Sequence, residues 1–170
     1  MDEIVKAALR KWPNVPHCYG WLALDARGDW YMRDERFQRA GPFPQVKGSR
    51  IGHEKLLEFI FRNYGCDDAG CWFFQNGPQR VYVRLAYTPL VVHYEGERLV
   101  DQCGRDFGAP DAFLLDEEGS VLARLGARIA LVDDRDLERF AERANELERV
   151  RRAELPAQFG FVADPAATQL

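Results

Sequence analysis

The fold is decided by residues 71–85, which read CWFFQNGPQRVYVRL. Two strand-like runs flank a turn sequence at 76–79, and this pattern predicts an antiparallel hairpin. The position of the turn sets three facing pairs, which are Gln75 and Arg80, Phe74 and Val81, and Phe73 and Tyr82.

Alternation gives this hairpin two different faces. One face is apolar and is predicted to belong to the core: Trp72, Phe74, Val81 and Val83. The other combines rings, arginines and an amide: Phe73, Gln75, Arg80, Tyr82 and Arg84. Such a face can stack on planar groups and bind phosphates or carboxylates. In the alternative interpretation a helix or a second subunit covers it, with the arginines at the rim.

Outside the hairpin, helical and strand-like patterns follow one another along the chain. Helices are predicted over residues 2–12, 51–64 and 134–154, with Pro156 ending the last one. Short turns join the remaining strand-like runs, so their strands are expected to pair antiparallel. The sequence therefore predicts an α+β fold with a mainly antiparallel sheet of about six to eight strands and about three helices.

Two hairpins carry the same turn pattern, Asp-x-x-Gly, at residues 25–28 and 116–119. In this pattern the aspartate caps the turn and the glycine adopts a positive φ. The pattern is common, so an internal repeat is only an alternative. Residues 33–50 contain two glycines and two prolines and are predicted to form a long loop.

Length and composition indicate one ordinary domain. The chain has 170 residues, of which 46% are hydrophobic and 29% charged. We predict a single domain over residues 1–155 and a C-terminal tail over residues 156–170. The net charge of −4 argues against a dominant basic field that would bind nucleic acid or an anionic membrane. The sequence still allows a local basic patch.

The sequence favours the cytoplasm. Residues 1–6 lack the basic segment and apolar run of a signal peptide, and no stretch approaches ~18 uninterrupted apolar residues. We therefore predict no membrane association. The four cysteines are expected to be reduced thiols, with two disulfides as the alternative for a secreted protein.

Several segments resemble small uncharacterised proteobacterial proteins of unknown function. They are GSRIGH at 48–53, FIFRNY at 59–64, WFFQNGPQRVYV at 72–83, Thr88-Pro89, and VDDRDL at 132–137. The likeness covers most of residues 20–140. It implies a bacterial, stand-alone cytosolic domain, and it implies no chemistry.

A second candidate anion site lies at residues 47–55, before a predicted helix. Two glycines and several basic side chains, among them Lys47, Arg50 and His53 with the hydroxyl of Ser49, are suited to a phosphate or carboxylate. The order of a P-loop is absent. In the alternative interpretation Ser49 caps the helix and the charges are solvated.

Metal and thiol chemistry are weaker alternatives. His17, Cys18, Cys66 and Cys71 supply four zinc ligand types, but their spacing differs from that of zinc ribbons. A cysteine with His93 or His53 lacks a nucleophile motif. We predict no catalytic residue, no metal and no cofactor.

The sequence favours a non-catalytic binding protein, with its site on the hairpin face, the 33–50 segment and the start of the next helix. The ligand would be a nucleotide, a single-stranded nucleic acid or an acidic peptide. Gln75 and Asn76 would supply amide hydrogen bonds, the rings would stack, and the arginines would hold charge. The alternatives are a small enzyme with a site around His53, Arg62 and the 33–50 segment, and a structural homodimer.

Overall fold

The computed structural model describes residues 1–169, which form two compact units. Unit 1 comprises Met1–Asp25, Asp29–Ala86 and the chain from Val162 onward, and unit 2 comprises Ala26–Gly28 and Tyr87–Phe161. Within the described residues, no helix has the length and apolar character needed to cross a membrane. The single domain over 1–155 and the tail over 156–170 stay predictions.

Unit 1 is built on a six-stranded sheet. Its strands are β1 (Cys18–Leu24), β2 (Trp30–Met32), β3 (Ser49–Arg50), β4 (Tyr64–Cys66), β5 (Trp72–Asn76) and β6 (Gln79–Leu85). Their order is β3-β2-β1-β6-β5-β4, with β1 and β6 parallel and the other neighbours antiparallel. Its helices are α1 (Glu3–Lys11), α2 (Glu35–Ala40), α3 (Glu54–Arg62) and the 3₁₀ helix Pro165–Gln169. Its buried side chains include Leu22, Leu24, Trp30, Phe43, Ile60 and Val83.

Unit 2 contains a second sheet of the same size. Its strands are β7 (Leu90–Glu95), β8 (Arg98–Asp101), β9 (Ala112–Leu115), β10 (Val121–Leu125), β11 (Arg128–Val132) and β12 (Glu148–Arg149). Their order is β12-β9-β10-β11-β7-β8, and the pairs β7–β11 and β9–β12 are parallel. Its helices are the 3₁₀ helices Asp134–Glu146 and Arg152–Glu154, and α4 (Leu155–Phe159). Its buried side chains include Val92, Phe107, Leu114, Leu122 and Phe140.

Each unit contains a three-stranded antiparallel meander, β4–β5–β6 in unit 1 and β9–β10–β11 in unit 2. In each meander the last strand pairs in parallel with the first strand of the unit, which is β1 or β7. Phe73 on β5 pairs with Tyr82 on β6. Leu122 on β10 pairs with Leu131 on β11. This pair lies 49 residues further along the chain than the pair Phe73–Tyr82, at both of its positions. The β4–β5 and β9–β10 registers follow the same displacement.

The turns of the two meanders share their chemistry. The first turn is Asp-x-x-Gly at 67–70 in unit 1 and at 116–119 in unit 2. In each, aspartate Oδ1 accepts the backbone N–H groups two and four residues later, at 2.8–3.0 Å. The glycine has a φ of 86° in the first turn and 84° in the second. An internal repeat therefore exists, but 67–70 rather than 25–28 is the counterpart of 116–119.

The predicted α+β class is confirmed, whereas the sheet differs from the expectation. The described strands number twelve and form two mixed sheets. The parallel pairs join strands that are far apart along the chain, with other strands, helices or both between them. Local alternation and turn signals report hairpins, and they carry no information on such non-local neighbours.

The predicted helix over 134–154 is wrong in type and in length. A 3₁₀ helix covers Asp134–Glu146, and Phe140 is its one buried residue. The chain then extends, because Glu148 and Arg149 pair with β9. Pro156 lies in the first turn of α4, where its missing N–H has no intrahelical partner to lose.

The 33–50 segment contains two regular elements where a loop was predicted. Helix α2 begins after Asp34, whose side chain accepts the backbone N–H groups of Arg36 and Phe37. Residues 49–50 then form strand β3 beside β2. The segment is therefore held to the sheet at its end and capped at its beginning.

Candidate functional site

The hairpin at 71–85 has the predicted register, but its aromatic face is covered. Phe73 pairs with Tyr82, and each is only 6% exposed. The ring of Tyr19 stacks on Tyr82 at 4.8 Å, and His17 meets the same ring edge-on at 5.5 Å. The expectation of an open stacking face is wrong, because the parallel neighbour β1 places Tyr19 against β6.

The charge of Arg80 is used inside this cluster. Its guanidinium lies 4.0 Å from the centre of the Phe73 ring, and Nη1 donates to the hydroxyl of Tyr82 at 3.3 Å. That hydroxyl donates to Oδ2 of Asp67 at 2.8 Å. Arg80 is thus part of a packed hydrogen-bond network rather than an open anion ligand.

Asp67 makes the stability of this network depend on pH. Burial alone would raise the pKa of Asp67, but hydrogen bonds, among them those from the Cys71 N–H and the Tyr82 hydroxyl, bring it below the ordinary 3.8. A lowered folded pKa stabilises the protein above the unfolded pKa, and this contribution is lost as the pH falls through the folded value. We expect urea unfolding to show a smaller loss of stability below about pH 4 for Asp67→Asn than for wild type. Parallel curves for the two proteins would contradict this role.

The two predicted amides have different surroundings. Gln75 is buried, and its Nε2 donates to the carbonyl of Gly77 at 3.0 Å. Asn76 is exposed at the end of β5, at the rim of a pocket of about 220 Å³. The other residues of that pocket are apolar apart from one thiol: Cys18, Trp21, Leu22, Met32, Ile51, Leu56, Ile60, Phe74 and Val81.

The residues of the second predicted anion site have separate structural roles. Nζ of Lys47 donates to Oδ2 of Asp25 at 2.9 Å, and this hydrogen bond raises the pKa of Lys47. Ser49 and Arg50 lie exposed on strand β3. The guanidinium of Arg50 pairs with Asp29 at 3.0 Å. These side chains therefore do not converge on one ligand position.

His53 caps helix α3, so the interpretation with Ser49 as the N-cap is wrong by four residues. Nδ1 of His53 accepts the N–H of Leu56 at 3.3 Å, because the chain stays extended through β3 before it turns. Arg62 lies at the other end of α3, about 13 Å along the helix axis. It pairs with Asp2 at 3.1 Å. The structure does not bring His53 and Arg62 together.

The cysteines are free thiols with raised pKa values. Burial raises the pKa of Cys18 and Cys71, and burial with the nearby Asp67 raises that of Cys66 to about 11. Thiols of this kind are mostly protonated and weakly nucleophilic at neutral pH. Among residues 1–169, no three His, Cys, Asp or Glu side chains form a group that could hold a metal.

A different set of residues converges on a pocket of about 430 Å³ in unit 1, a volume in the range of small-molecule sites. Two arginines, one carboxylate and one amide lie among small and apolar residues: Gly20, Arg33, Gln38, Gly41, Pro42, Phe43, Arg84, Asp164 and Ala166. Of the individual residues predicted for the site, Arg84 is in this pocket. Arg33, Gly41, Pro42 and Phe43 come from the predicted 33–50 segment.

Arg33 is 6% exposed and has no carboxylate partner among the described residues. Nη2 donates to the carbonyls of Phe37 at 3.2 Å and Gly41 at 2.6 Å. Nε is buried and has no hydrogen-bond acceptor within residues 1–169. Burial, and then the charge of Arg84, lower the pKa of Arg33. An anion that reaches a buried cation of this kind would stabilise its charge.

Arg84 reaches the same pocket from strand β6. Its two polar contacts within the described chain are long: Nη2 lies 3.4 Å from the carbonyl oxygen of Phe43, and Nη1 lies 3.3 Å from Oδ2 of Asp164. Its side chain is 28% exposed. The guanidinium therefore has donor capacity for a ligand.

The two units carry different side chains at the positions of these two arginines. The hairpin registers of β1–β2 and β7–β8 make Gln102 the counterpart of Arg33. Gln102 is satisfied by backbone, since its Oε1 accepts an N–H and its Nε2 donates to a carbonyl, both at 2.9 Å. The meander displacement makes Asp133 the counterpart of Arg84. Unit 1 thus carries two positive charges where unit 2 has a neutral and a negative side chain.

Arg33, Phe43 and Asp164 were not among the individual residues predicted for the site. For Arg33 a signal exists, because an arginine directly follows a predicted strand and opens the segment that was expected to bind. Asp164 lies in the predicted tail, and its return to β6 leaves no trace in local patterns. Tertiary pairing alone places it there, through the hydrogen bond from Leu85 N–H to the carbonyl of Ala163 at 2.9 Å.

The model of one family, DUF2944, matches residues 1–166, and its description is "Protein of unknown function (DUF2946)". No curated protein matches the chain. A solved DUF1285 family protein from Silicibacter pomeroyi DSS-3 is 13% identical, with 84% of each chain covered and a TM-score of 0.50.

Another DUF1285 family protein, from Shewanella baltica OS155, is 15% identical over 72% of this chain and 91% of its own, with a TM-score of 0.49. The first of these likenesses supports the fold alone. The family match confirms the resemblance to proteins of unknown function that the sequence segments indicate. Since that match spans nearly the whole chain, the protein belongs to the DUF2944 family, a family of unknown function.

Proposed function

We propose that the protein is a non-catalytic binding protein that takes a small anionic ligand in the Arg33–Arg84 pocket. One observation carries this proposal: two guanidinium groups line a single pocket in which one carboxylate, that of Asp164, faces them. The pocket has an excess of positive charge in a protein whose net charge is −4.

The cost of this arrangement supports a ligand role. Placing two like charges near each other and burying one of them opposes folding, and an unpaired buried charge costs several kcal/mol by rough estimate. Within residues 1–169, the side chain of Arg33 contacts two backbone carbonyls and lies 5.9 Å from the centre of the Phe43 ring, and none of these groups neutralises its charge. A bound anion would offset both the repulsion and the burial.

The size of the pocket favours a small molecule among the ligands considered from the sequence. A volume of about 430 Å³ suits a metabolite-sized compound. Single-stranded nucleic acid needs exposed rings in a row, and Phe73 and Tyr82 are buried. The proposal therefore keeps the predicted anionic ligand and moves its site from the hairpin face to the pocket.

Substituting Arg84→Gln is expected to weaken the binding of small anions. Losing a charged hydrogen-bond donor costs about 1.5–3 kcal/mol, or roughly 10–100-fold in affinity. Isothermal titration calorimetry with phosphate, acetate and benzoate measures this loss for whichever anion binds. Arg84 is partly exposed, so the thermal midpoint of the variant should stay close to that of wild type.

Arg50→Gln is the matched control, because Arg50 is an exposed arginine of unit 1 that lies outside the pocket. Its affinity for the same anions should equal that of wild type. Equal losses in the two variants would mean that the anions respond to overall charge, and the pocket would then not be the site.

We also propose the cytoplasm as the location of the protein. The support is that all four cysteines, Cys18, Cys66, Cys71 and Cys103, are free thiols. Free thiols persist in reducing compartments, whereas secreted proteins of this size commonly oxidise them in pairs. Alkylation of all four thiols in cells lysed directly into denaturant with the alkylating agent and without reductant would support this location.

A further inference from the structure

The carboxylate of Asp164 holds the position that an anionic ligand would take on Arg84. Backbone hydrogen bonds fix the segment around it: Leu85 N–H donates to the Ala163 carbonyl, and Val162 N–H donates to the Gly70 carbonyl, both at 2.9 Å. The side chain of Asp164 remains 42% exposed, and its charged contact is Arg84. The backbone is thus anchored while the carboxylate sits at the edge of the pocket.

The Arg84–Asp164 pair has the geometry of a weak ion pair. The 3.3 Å separation between Nη1 and Oδ2 is long for a charged hydrogen bond, which is typically about 2.7–2.9 Å. Partly exposed pairs of this kind contribute little to stability, since solvent screens them. A ligand carboxylate that approaches Arg84 along a better direction can therefore replace Asp164 at small cost.

The charge balance of the pocket points to a ligand with a single negative charge. Arg33 and Arg84 supply two positive charges and Asp164 supplies one negative charge. Because its backbone is anchored, Asp164 stays at the pocket edge even when its contact with Arg84 is broken, so a monocarboxylate completes neutrality, whereas a phosphate dianion would leave the pocket negative. The group that the fold itself sets on Arg84 is a carboxylate, which matches the flat fork of a guanidinium.

The remaining walls of the pocket describe the body of the ligand. Pro42, Phe43 and Ala166 present carbon atoms, and Gly20 and Gly41 complete the lining. Gln38 is already engaged, because its Nε2 donates to the carbonyl of Arg33 at 2.8 Å. These walls favour an apolar body over a hydroxylated one.

We propose that the ligand is a small monocarboxylate with an apolar body, and that its carboxylate displaces Asp164 from Arg84 when it binds. This inference rests on the proposed binding function. It adds the class of ligand and a competing group within the chain. Asp164 then sets the affinity: the stronger its contact with Arg84, the higher the ligand concentration needed for occupancy.

Calorimetric titration of the full chain with benzoate tests the proposal. Benzamide serves as the neutral isostere, acetate as the acid without an apolar body, and phosphate as the dianion. We expect benzoate to bind more tightly than acetate or phosphate, and benzamide not to bind. Asp164→Asn removes the competing charge, and it should tighten benzoate binding by about two- to fivefold, in line with a weak surface ion pair.

Asp164→Glu is the control that keeps the charge, and its affinity for benzoate should stay near that of wild type. Weaker benzoate binding by Asp164→Asn would show that Asp164 supports the site, and it would overturn the displacement. Tighter binding of phosphate than of benzoate, lost in Arg84→Gln, would overturn the ligand class and leave the binding function standing. Absence of binding by all four probes would overturn both.

Discussion

Substituting Asp116→Ala is expected to lower the free energy of unfolding by about 3–5 kcal/mol, because it leaves several hydrogen-bond donors, one of them charged, without their buried acceptor. Asp116 is fully buried and takes four donors. Oδ2 accepts the hydroxyl of Tyr87 and Nε of Arg152, both at 2.9 Å, and Oδ1 accepts two backbone N–H groups of its turn. Alanine leaves all four donors without this acceptor. Urea unfolding followed by circular dichroism measures the loss.

The matched control is Glu118→Gln, because Glu118 contacts the same guanidinium of Arg152 but is 62% exposed. An exposed pair contributes about 0–1 kcal/mol, so this variant should unfold close to wild type. Burial, rather than the presence of a salt bridge, makes the difference between the two. Equal losses in Asp116→Ala and Glu118→Gln would contradict this account of the turn.

Gly48→Ala is expected to destabilise the protein by about 2–4 kcal/mol, from backbone strain together with a steric overlap. Gly48 has a φ of 105°, in the region that favours glycine. A Cβ at this position would overlap the carbonyl oxygen of Met32 and press on Cγ of Arg33. The backbone is held close at this contact, because the next residue, Ser49, pairs with Met32. Thermal and urea unfolding both report the loss.

Gly52→Ala is the control within the same segment. A Cβ at Gly52 meets no atom within 4 Å, and its φ lies outside the left-handed region. The substitution should change the free energy of unfolding by about 0.5 kcal/mol or less. A loss as large as that of Gly48→Ala would mean that glycine flexibility in the segment, rather than the close approach to Met32, is what matters.

The hairpin at the centre of unit 1 could be predicted in register because its information is local. A tight turn at 76–79 and the two-residue period of strands together set every facing pair from Phe73 to Tyr82. The same reasoning identified Trp72 and Phe74 as one face and Phe73 and Gln75 as the other. Helix α1, an amphipathic segment, could be predicted for the same reason.

The covering of that hairpin could not be predicted because it depends on chain segments far away in sequence. Tyr19 reaches Tyr82 through the parallel β1–β6 pair, and Val162 packs on the same cluster after the chain returns. Alternation shows that two faces exist, but it is silent on what lies above each. Both faces of a central strand in a mixed sheet are commonly buried.

Helix α2 is a case in which the sequence carried a usable signal. Asp34 precedes Glu35, and Gly41 follows the segment, which is the arrangement of a capped short helix. The glycines and prolines at 41–48 drew the interpretation toward a loop instead. At 134–147, by contrast, the helical spacing of apolar residues predicted an α-helix, and the structure has a 3₁₀ helix. Phe140 is the one buried residue of this helix, and the chain after it pairs with β9.

The candidate site was predictable in kind and in part of its location. Arg84 and the 33–50 segment were identified as elements of an anion site, and both border the pocket. The presence of Arg84 and Arg33 in the same pocket could not be predicted, since it depends on the position of β2 relative to β6. Unit 2 has Gln102 and Asp133 at the equivalent positions, so the two arginines are particular to unit 1.

The return of the chain to unit 1 at Val162 has a consequence for the order of assembly during translation. Residues 1–86 supply Arg33 and Arg84, but Asp164 emerges only after all of Tyr87–Phe161 has been synthesised. At a translation rate of about 5–20 residues per second, the synthesis of Tyr87–Phe161 takes roughly 4–15 s, and Asp164 follows only after that interval. During that interval unit 1 lacks both Asp164 and Ala166, so the pocket is completed only when the end of the chain has been synthesised.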